Sequence, residues 1–214
     1  MQVIYLIRHG ETEFNRDGRV QGYTESPLSD LGVEQARRLR ARLEGLAVDA
    51  AYTSPLSRAQ ETCRIAMDGR GWEARAGLRE IGLGEWEGKR AADLRREFPD
   101  QVKMWFRSPG QVRIPGAETM ADFRRRVTGE LDSIRAAHPD GTVVVIAHGG
   151  VICAYLTSIL GMQIDDIWRF KIRNCSLTRV LFPQDRARID TLGDISHLDG
   201  ELRELPDQRY RMLP

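Results

Sequence analysis

Lysine is nearly missing from this 214-residue chain: Lys89, Lys103 and Lys171 are the only ones among 32 basic residues. Arginine therefore carries almost all of the positive charge, a bias that genomic base composition or heat adaptation would each produce. Cysteine is scarce as well. Cys63, Cys153 and Cys175 are odd in number, far apart and without a Cys-x-x-Cys pair, which argues against a zinc site or a disulfide framework. They are expected to be small buried side chains in a reducing cytosol. No segment approaches the ~18 consecutive apolar residues of a membrane span. A basic stretch leading into an apolar segment is also missing, so no secretory signal is expected and the expected location is cytoplasmic. The formal net charge is only +1, which provides no global field to draw nucleic acid or a membrane surface. Internal repeats, low-complexity stretches and interdomain linkers are lacking too.

What is present fits one ordinary α/β domain, expected to span residues 1–214, with enough apolar sequence (41%) for a substantial core. Apolar runs at Val3–Ile7, Ala50–Thr53, Thr142–Ala147 and Ser176–Phe182 read as strands, with Ala187–Leu192 as a last edge. Between them lie helical stripes. Leu31, Ala36, Leu39, Leu43 and Leu46 form one, with Ser29 as its N-cap. Met120, Phe123, Val127, Leu131 and Ile134 form another, ending at the His138-Pro139-Asp140-Gly141 turn. Shorter helices are expected at Ser57–Met67, Lys89–Phe98 and Val151–Leu160. Strands alternating with helices predict a mostly parallel central sheet covered on both faces, a three-layer α/β/α sandwich. The less regular stretch from Gly77 to Pro115 predicts an excursion over the strand ends that forms part of a substrate pocket. The polar tail after Gly200 is expected to be loosely attached.

Ligand sites in open α/β sheets lie at the carboxyl ends of strands, and this chain places unusual residues there. The first strand stops at Arg8-His9-Gly10, and the third apolar run, Thr142–Ala147, stops at His148-Gly149-Gly150. If the two strands are neighbours, the two imidazoles meet. Ser54-Pro55-Leu56-Ser57-Arg58 follows another strand and brings a second arginine. Two histidines and two arginines suit a dianionic phosphate. His9 reads as a nucleophile that takes a phosphoryl group, kept neutral by adjacent Arg8. Arg8, Arg58 and His148 would bind the non-bridging oxygens and neutralise charge without a metal. Asn15 and the backbone of Gly10 and Gly149 would add neutral donors, near the positive end of the following helix. A leaving alkoxide needs a proton. Glu80 is the best-placed acid in the sequence, with Glu11, Glu85 and Glu87 as rivals.

Other features read more plainly. His138, in a helix-stop turn, and His197, in the polar tail, are expected to be exposed and inert. Gly82-x-Gly84 has the wrong spacing for a dinucleotide fingerprint. Arg124-Arg125-Arg126 reads as a solvated helix face, with no interleaved aromatics for nucleic acid. Trp86, Trp105, Phe106 and Trp168 read as core or pocket wall. No His/Asp/Glu spacing makes a metal cage.

These segments together resemble the histidine phosphatase superfamily, also called phosphoglycerate mutase-like, over about residues 3–182. Leu6-Ile7-Arg8-His9-Gly10-Glu11-Thr12 is similar to its nucleophile motif. Asn15 with Gln21-Gly22, Pro27-Leu28-Ser29 with Gly32, Ser54 to Thr62, Leu78-Arg79-Glu80 with Gly84 to Gly88, Pro115 to Thr119, Ala147 to Ile152 and Asn174-Cys175-Ser176 follow in the family's order. The resemblance implies His9 as the phosphorylated residue and Glu80 as the proton donor. It also implies phosphate binding by Arg8, Asn15, Gln21, Gly22, Arg58, His148 and Gly149, with no cofactor and no metal. The compact Gly-x-Trp-Glu-Gly form resembles the phosphatase branch, which implies a hydrolase of small-molecule phosphate esters and a homodimer. The competing readings are a cofactor-dependent phosphoglycerate mutase and a non-catalytic phosphate-ligand-binding or regulatory module on the same fold. Retention of Arg8, His9, Arg58, Glu80 and His148 argues against the last.

Overall fold

Each long apolar run forms a strand or a helix face where the pattern places it. The computed structural model describes residues 1–203. Along the chain lie β1 (Gln2–Arg8), α1 (Glu13–Asp17), α2 (Asp30–Leu43), β2 (Ala50–Thr53), α3 (Ser57–Met67), β3 (Glu73–Ala74), α4 (Ala91–Glu97), α5 (Pro99–Arg107), α6 (Met120–Ala137), β4 (Thr142–Ala147), α7 (Gly149–Ile159), β5 (Leu177–Phe182) and β6 (Arg188–Asp194). The strands form one six-stranded sheet in the order β3-β2-β4-β1-β5-β6. The first four in that order are mutually parallel, β5 is antiparallel to β1, and β6 is antiparallel to β5.

The period-2 alternation of the strands divides the core into two halves. Ile4 and Leu6 of β1, with Val143 and Val145 of β4, face α4 to α7. Tyr5 and Ile7, with Val144 and Ile146, face α2 and α3. Of α6, Phe123, Val127, Leu131 and Ile134 are essentially inaccessible, each contributing about 1.5–3 kcal/mol by burial. The three cysteines are buried and not paired with one another.

The differences from the sequence reading are local. β3 is two residues long, too short to carry a periodic signal. The helix expected over Lys89–Phe98 begins at Ala91 and ends at Glu97, because Pro99 opens a second helix, α5, at its first turn. α7 starts at Gly149 rather than Val151, with His148 as its N-cap residue. The tail beyond Arg203 lies outside the described residues; Gly200–Arg203 forms one 3-10 turn.

One close approach fixes the loop after β1. A Cβ at Gly32, in the first turn of α2, would lie 2.0 Å from the carbonyl oxygen of Glu11, and one at Gly10 would lie 2.6 Å from the carbonyl oxygen of Gly32. Ser29 ties the same junction, accepting from Gly32 N–H (3.1 Å) and donating to Glu11 Oε1 (2.6 Å). Backbone meets backbone here, so neither side can yield cheaply. Gly32→Ala is expected to destabilise the protein by roughly 1–3 kcal/mol, the usual cost of overpacking. A urea titration checks this; an unchanged midpoint would contradict the tight junction.

Candidate active site

Parallel pairing brings three strand ends level. β1 and β4 are in register to Arg8 opposite Ala147, and β2 and β4 to Thr53 opposite Ile146. The next residues, His9, Ser54 and His148, therefore leave the sheet side by side. His9 N–H continues the ladder to Ala147 O (3.0 Å), and Ser54 N–H to Ile146 O (3.1 Å). The two imidazoles meet edge to face, with centroids 5.1 Å apart and planes at 61°.

Each ring has a defined proton. His9 Nδ1 lies 2.7 Å from the carbonyl oxygen of Gly10. A carbonyl can only accept, so Nδ1 carries the proton and the lone pair of the neutral ring is on Nε2. His148 Nε2 lies 2.7 Å from Ser54 Oγ, and Ser54 Oγ accepts from Leu56 N–H (3.3 Å). If Nε2 held the proton, the wholly buried Ser54 hydroxyl hydrogen would have no acceptor. Ser54 therefore donates, and His148 carries its proton on Nδ1, a buried atom with no hydrogen-bond partner among the described residues.

Arg8 and Arg58 are 7% and 1% exposed. Arg8 Nη1 donates to Ile172 O (2.7 Å). Arg58 donates to Gly22 O (2.8 Å) and Thr24 O (3.3 Å). No described carboxylate pairs with Arg58, and burial lowers its pKa to about 10. Asn15 Oδ1 accepts from Thr12 N–H (3.3 Å) and Asn174 Nδ2 (3.2 Å). A backbone N–H can only donate, so the amide orientation is fixed, and contacts into the cleft fall to Asn15 Nδ2.

These groups share a cleft of about 730 Å³, open mouth included, lined by Arg8, His9, Asn15, Gln21, Gly22, Arg58, Glu80, Gly149 and Gly150 on its polar side. Val20, Ile81, Leu83, Ala91, Trp105 and Trp168 form the apolar wall, with Arg19 beside them. The 77–115 excursion thus supplies much of the wall. His148 lies wholly buried behind the cleft, against His9. Sequence reasoning did not find Arg19, Ser54 or Thr62. Ser54 was visible only as the residue just past a strand.

Geometry also chooses among the four glutamates. Glu80 alone lines the cleft, with Oε2 accepting from Gly150 N–H (3.1 Å) and Oε1 from Ile81 N–H (3.0 Å). A Cβ at Gly150 would lie 2.2 Å from Glu80 Oε1, so a side chain there would push the Glu80 carboxylate from its place. Glu11 is buried against Ser29, and desolvation holds it above the ordinary carboxylate range although the Ser29 hydrogen bond opposes that shift. Glu87 accepts from Tyr23 N–H, Thr24 N–H, Thr24 Oγ1 and Leu83 N–H, and Glu85 is exposed.

Four expectations need correction. Gly10 N–H donates to Thr62 Oγ1 (3.0 Å), which in turn donates to Arg58 O (2.7 Å), so it faces away from the cleft. Arg126 is not a solvated residue but is turned onto the Glu80 segment. His138 is half-buried, with Nε2 2.8 Å from Tyr52 Oη. His197 is half-buried near Asp194, and burial lowers its pKa.

Burial first, then the charges of Arg58, His9 and Arg8, holds His148 well below the ordinary histidine range. Below about pH 6.5 the unfolded chain binds a proton there and the folded chain does not, so acid opposes folding, by up to ~1.4 kcal/mol per pH unit. His197 acts in the same direction. Urea unfolding is expected to show lower stability at pH 5.5 than at pH 7, and His148→Gln is expected to reduce that difference. An equal pH effect in both proteins would contradict the buried neutral imidazole.

Comparison with known proteins identifies the family and the fold. Residues 4–195 match the family model described as histidine phosphatase superfamily (branch 1). The chain is 32% identical over 207 residues to a probable phosphoglycerate mutase, GpmB, of Cronobacter sakazakii, covering 94% of this chain and 96% of that protein. It is 29% identical to a putative phosphoserine phosphatase 2 of Hydrogenobacter thermophilus, covering 92% and 98%. The solved structure of YhfR from Bacillus stearothermophilus superposes with a TM-score of 0.87 at 32% identity, over 92% of this chain and 99% of that one. Relatives of both names align almost end to end, so they agree on ancestry and differ on the reaction. On that footing the chain belongs to the histidine phosphatase superfamily, branch 1.

Proposed function

We propose that the protein is a phosphomonoesterase that hydrolyses small phosphorylated metabolites through a phosphohistidine at His9, without a metal. The observation that carries this reading is the 2.7 Å hydrogen bond from His9 Nδ1 to Gly10 O, which puts the nucleophilic lone pair on Nε2. In the first step Nε2 attacks phosphorus and the ester P–O bond breaks. The leaving oxygen keeps the electron pair and takes a proton from Glu80. In the second step the Glu80 carboxylate takes a proton from water, the water oxygen attacks phosphorus, the P–N bond breaks and its electrons return to Nε2. Throughout, Nδ1–H stays on the Gly10 carbonyl and stabilises the positive charge of the phosphorylated ring.

The non-bridging oxygens are held by Arg8, Arg58, Asn15 Nδ2, His148 Nδ1–H and the Gly149 end of α7, with Gln21 and Gly22 closing the loop over them. His148 acts as a neutral donor, in keeping with its lowered pKa. Buried cations and fixed dipoles of this kind stabilise a transferring phosphoryl group electrostatically. Among the described residues no three His, Cys, Asp or Glu side chains cluster as a metal cage. The wall of Val20, Ile81, Leu83, Trp105 and Trp168 suits a leaving group with an apolar face, and Arg19 suits an anionic substituent on it. The mutase reading, favoured by the Cronobacter relative's name, shares the first step and differs in returning the phosphoryl group to a sugar acid.

The test uses Glu80→Gln with chelator present. For an alkyl phosphate, whose alkoxide needs a proton, kcat/KM is expected to fall by ~10²–10⁴-fold. For para-nitrophenyl phosphate the fall is expected to be clearly smaller, with a burst of nitrophenolate ahead of a slow steady state and an acid-labile label that His9→Ala lacks. Equal losses on both esters without a burst would refute Glu80 as the acid, and a label persisting on His9→Ala would refute the nucleophile. Quantitative transfer to a sugar acid in place of water would favour the mutase.

A further inference from the structure

Glu80 sits on a stretch without regular secondary structure, between 3-10 turns at Ala76–Leu78 and Gly84–Trp86. Its backbone makes no ladder of its own. One guanidinium supplies the donors instead. Arg126 of α6 donates from Nη1 to Gly77 O (2.9 Å) and Arg79 O (3.0 Å), and from Nη2 to Glu80 O (3.3 Å) and Tyr23 Oη (3.4 Å). Its Nε and Nη2 also pair with the two oxygens of Glu118 at 2.9 and 2.6 Å. Glu118 N–H in turn donates to Gly82 O (2.9 Å). The Arg126 side chain is 24% exposed, whereas its neighbour Arg125 is 78% exposed. α6 is anchored by its buried face, so the clamp refers the loop to a rigid element.

We propose that Arg126 is a positioning residue whose planar fork sets the place of the Glu80 carboxyl over the leaving oxygen. This rests on the reading of Glu80 as the proton donor. Arginine is required because its donors lie in one plane and reach several acceptors at once; a lysine ammonium is a single point on a flexible stem. Glu118 neutralises the guanidinium, so the effect is one of geometry. Arg126 touches no reacting atom. A displacement of the acid by about 1 Å costs on the order of 10²-fold in rate, and it does so only where the leaving group needs a proton.

The experiment compares kcat/KM for alpha-glycerol phosphate and para-nitrophenyl phosphate in the wild type, Arg126→Met, Arg126→Lys, Glu80→Gln and the Arg126→Met/Glu80→Gln double variant. Arg126→Met is expected to lose about 10²-fold on the alkyl ester and much less on the aryl ester. Arg126→Lys is expected to show the same selectivity with a smaller loss, and it carries the test if Arg126→Met does not fold. In the Glu80→Gln background, Arg126→Met is expected to cost little more, since the two residues act as one unit. Equal losses on both esters, or full additivity in the double variant, would overturn the positioning role while leaving Glu80 as the acid. An absence of leaving-group selectivity in Glu80→Gln itself would overturn the acid assignment and the positioning role with it.

Discussion

Arg58 is 1% exposed, and its guanidinium is held by the carbonyl oxygens of Gly22 and Thr24 rather than by a carboxylate. A buried charge is costly unless it is paired and hydrogen-bonded, and the lowering of its pKa to about 10 reflects that cost. Much of the surrounding architecture follows from accommodating this cation. The loop carrying Gly22 and Thr24 must fold over α3 to reach it. Glu87 holds that loop in place through Tyr23 and Thr24, and Glu25 ties it to Ser57 at the start of α3. A phosphoryl dianion is a ligand that would complete such a site, because among the described residues no carboxylate forms an ion pair with this guanidinium, although Glu80, Glu25 and Glu87 are near enough to act on it.

The same economy governs the histidines. Each imidazole has a neutral hydrogen-bond partner on one ring nitrogen. His9 donates to its own neighbour's carbonyl, and His148 takes a hydrogen bond from a serine hydroxyl. Both arrangements suit neutral rings with known tautomers. Neutrality matters, since an imidazolium at His9 would have no lone pair to offer. The carboxylate proposed as the proton donor, Glu80, lies at the positive end of α7 and is oriented by the N–H groups of Gly150 and Ile81.

The strand ends were legible in the sequence because apolar runs stop there so abruptly. Val3–Ile7 gives way to Arg8-His9, and Val143–Ala147 to His148, with no polar transition. Parallel pairing of β1 with β4 and of β4 with β2 then brings the three ends together to within one residue. The order of the motifs identified the family, and the structural match agrees with it. Other features could not be read because they depend on contacts between distant segments. Nothing local distinguishes Glu80 from Glu11, Glu85 or Glu87; the cleft does. Arg126 looks like its neighbours Arg124 and Arg125 until α6 is packed against the 77–82 segment. Gly10 appeared to offer a phosphate donor until Thr62, more than fifty residues away, took its N–H. β3 is too short to leave a pattern, and His138 and His197 read as surface residues because burial by a remote strand or tail leaves no periodic trace.

The central claim is that the phosphoryl group passes through the protein before reaching an acceptor. Each in-line displacement inverts configuration at phosphorus, so two in succession restore it. The direct measurement follows a phosphate monoester made chiral at phosphorus with oxygen isotopes, using transfer to an alcohol acceptor in place of water. Net retention is the result expected for attack by His9 followed by attack on the phosphohistidine. Net inversion would mean a single direct displacement, and would contradict the account.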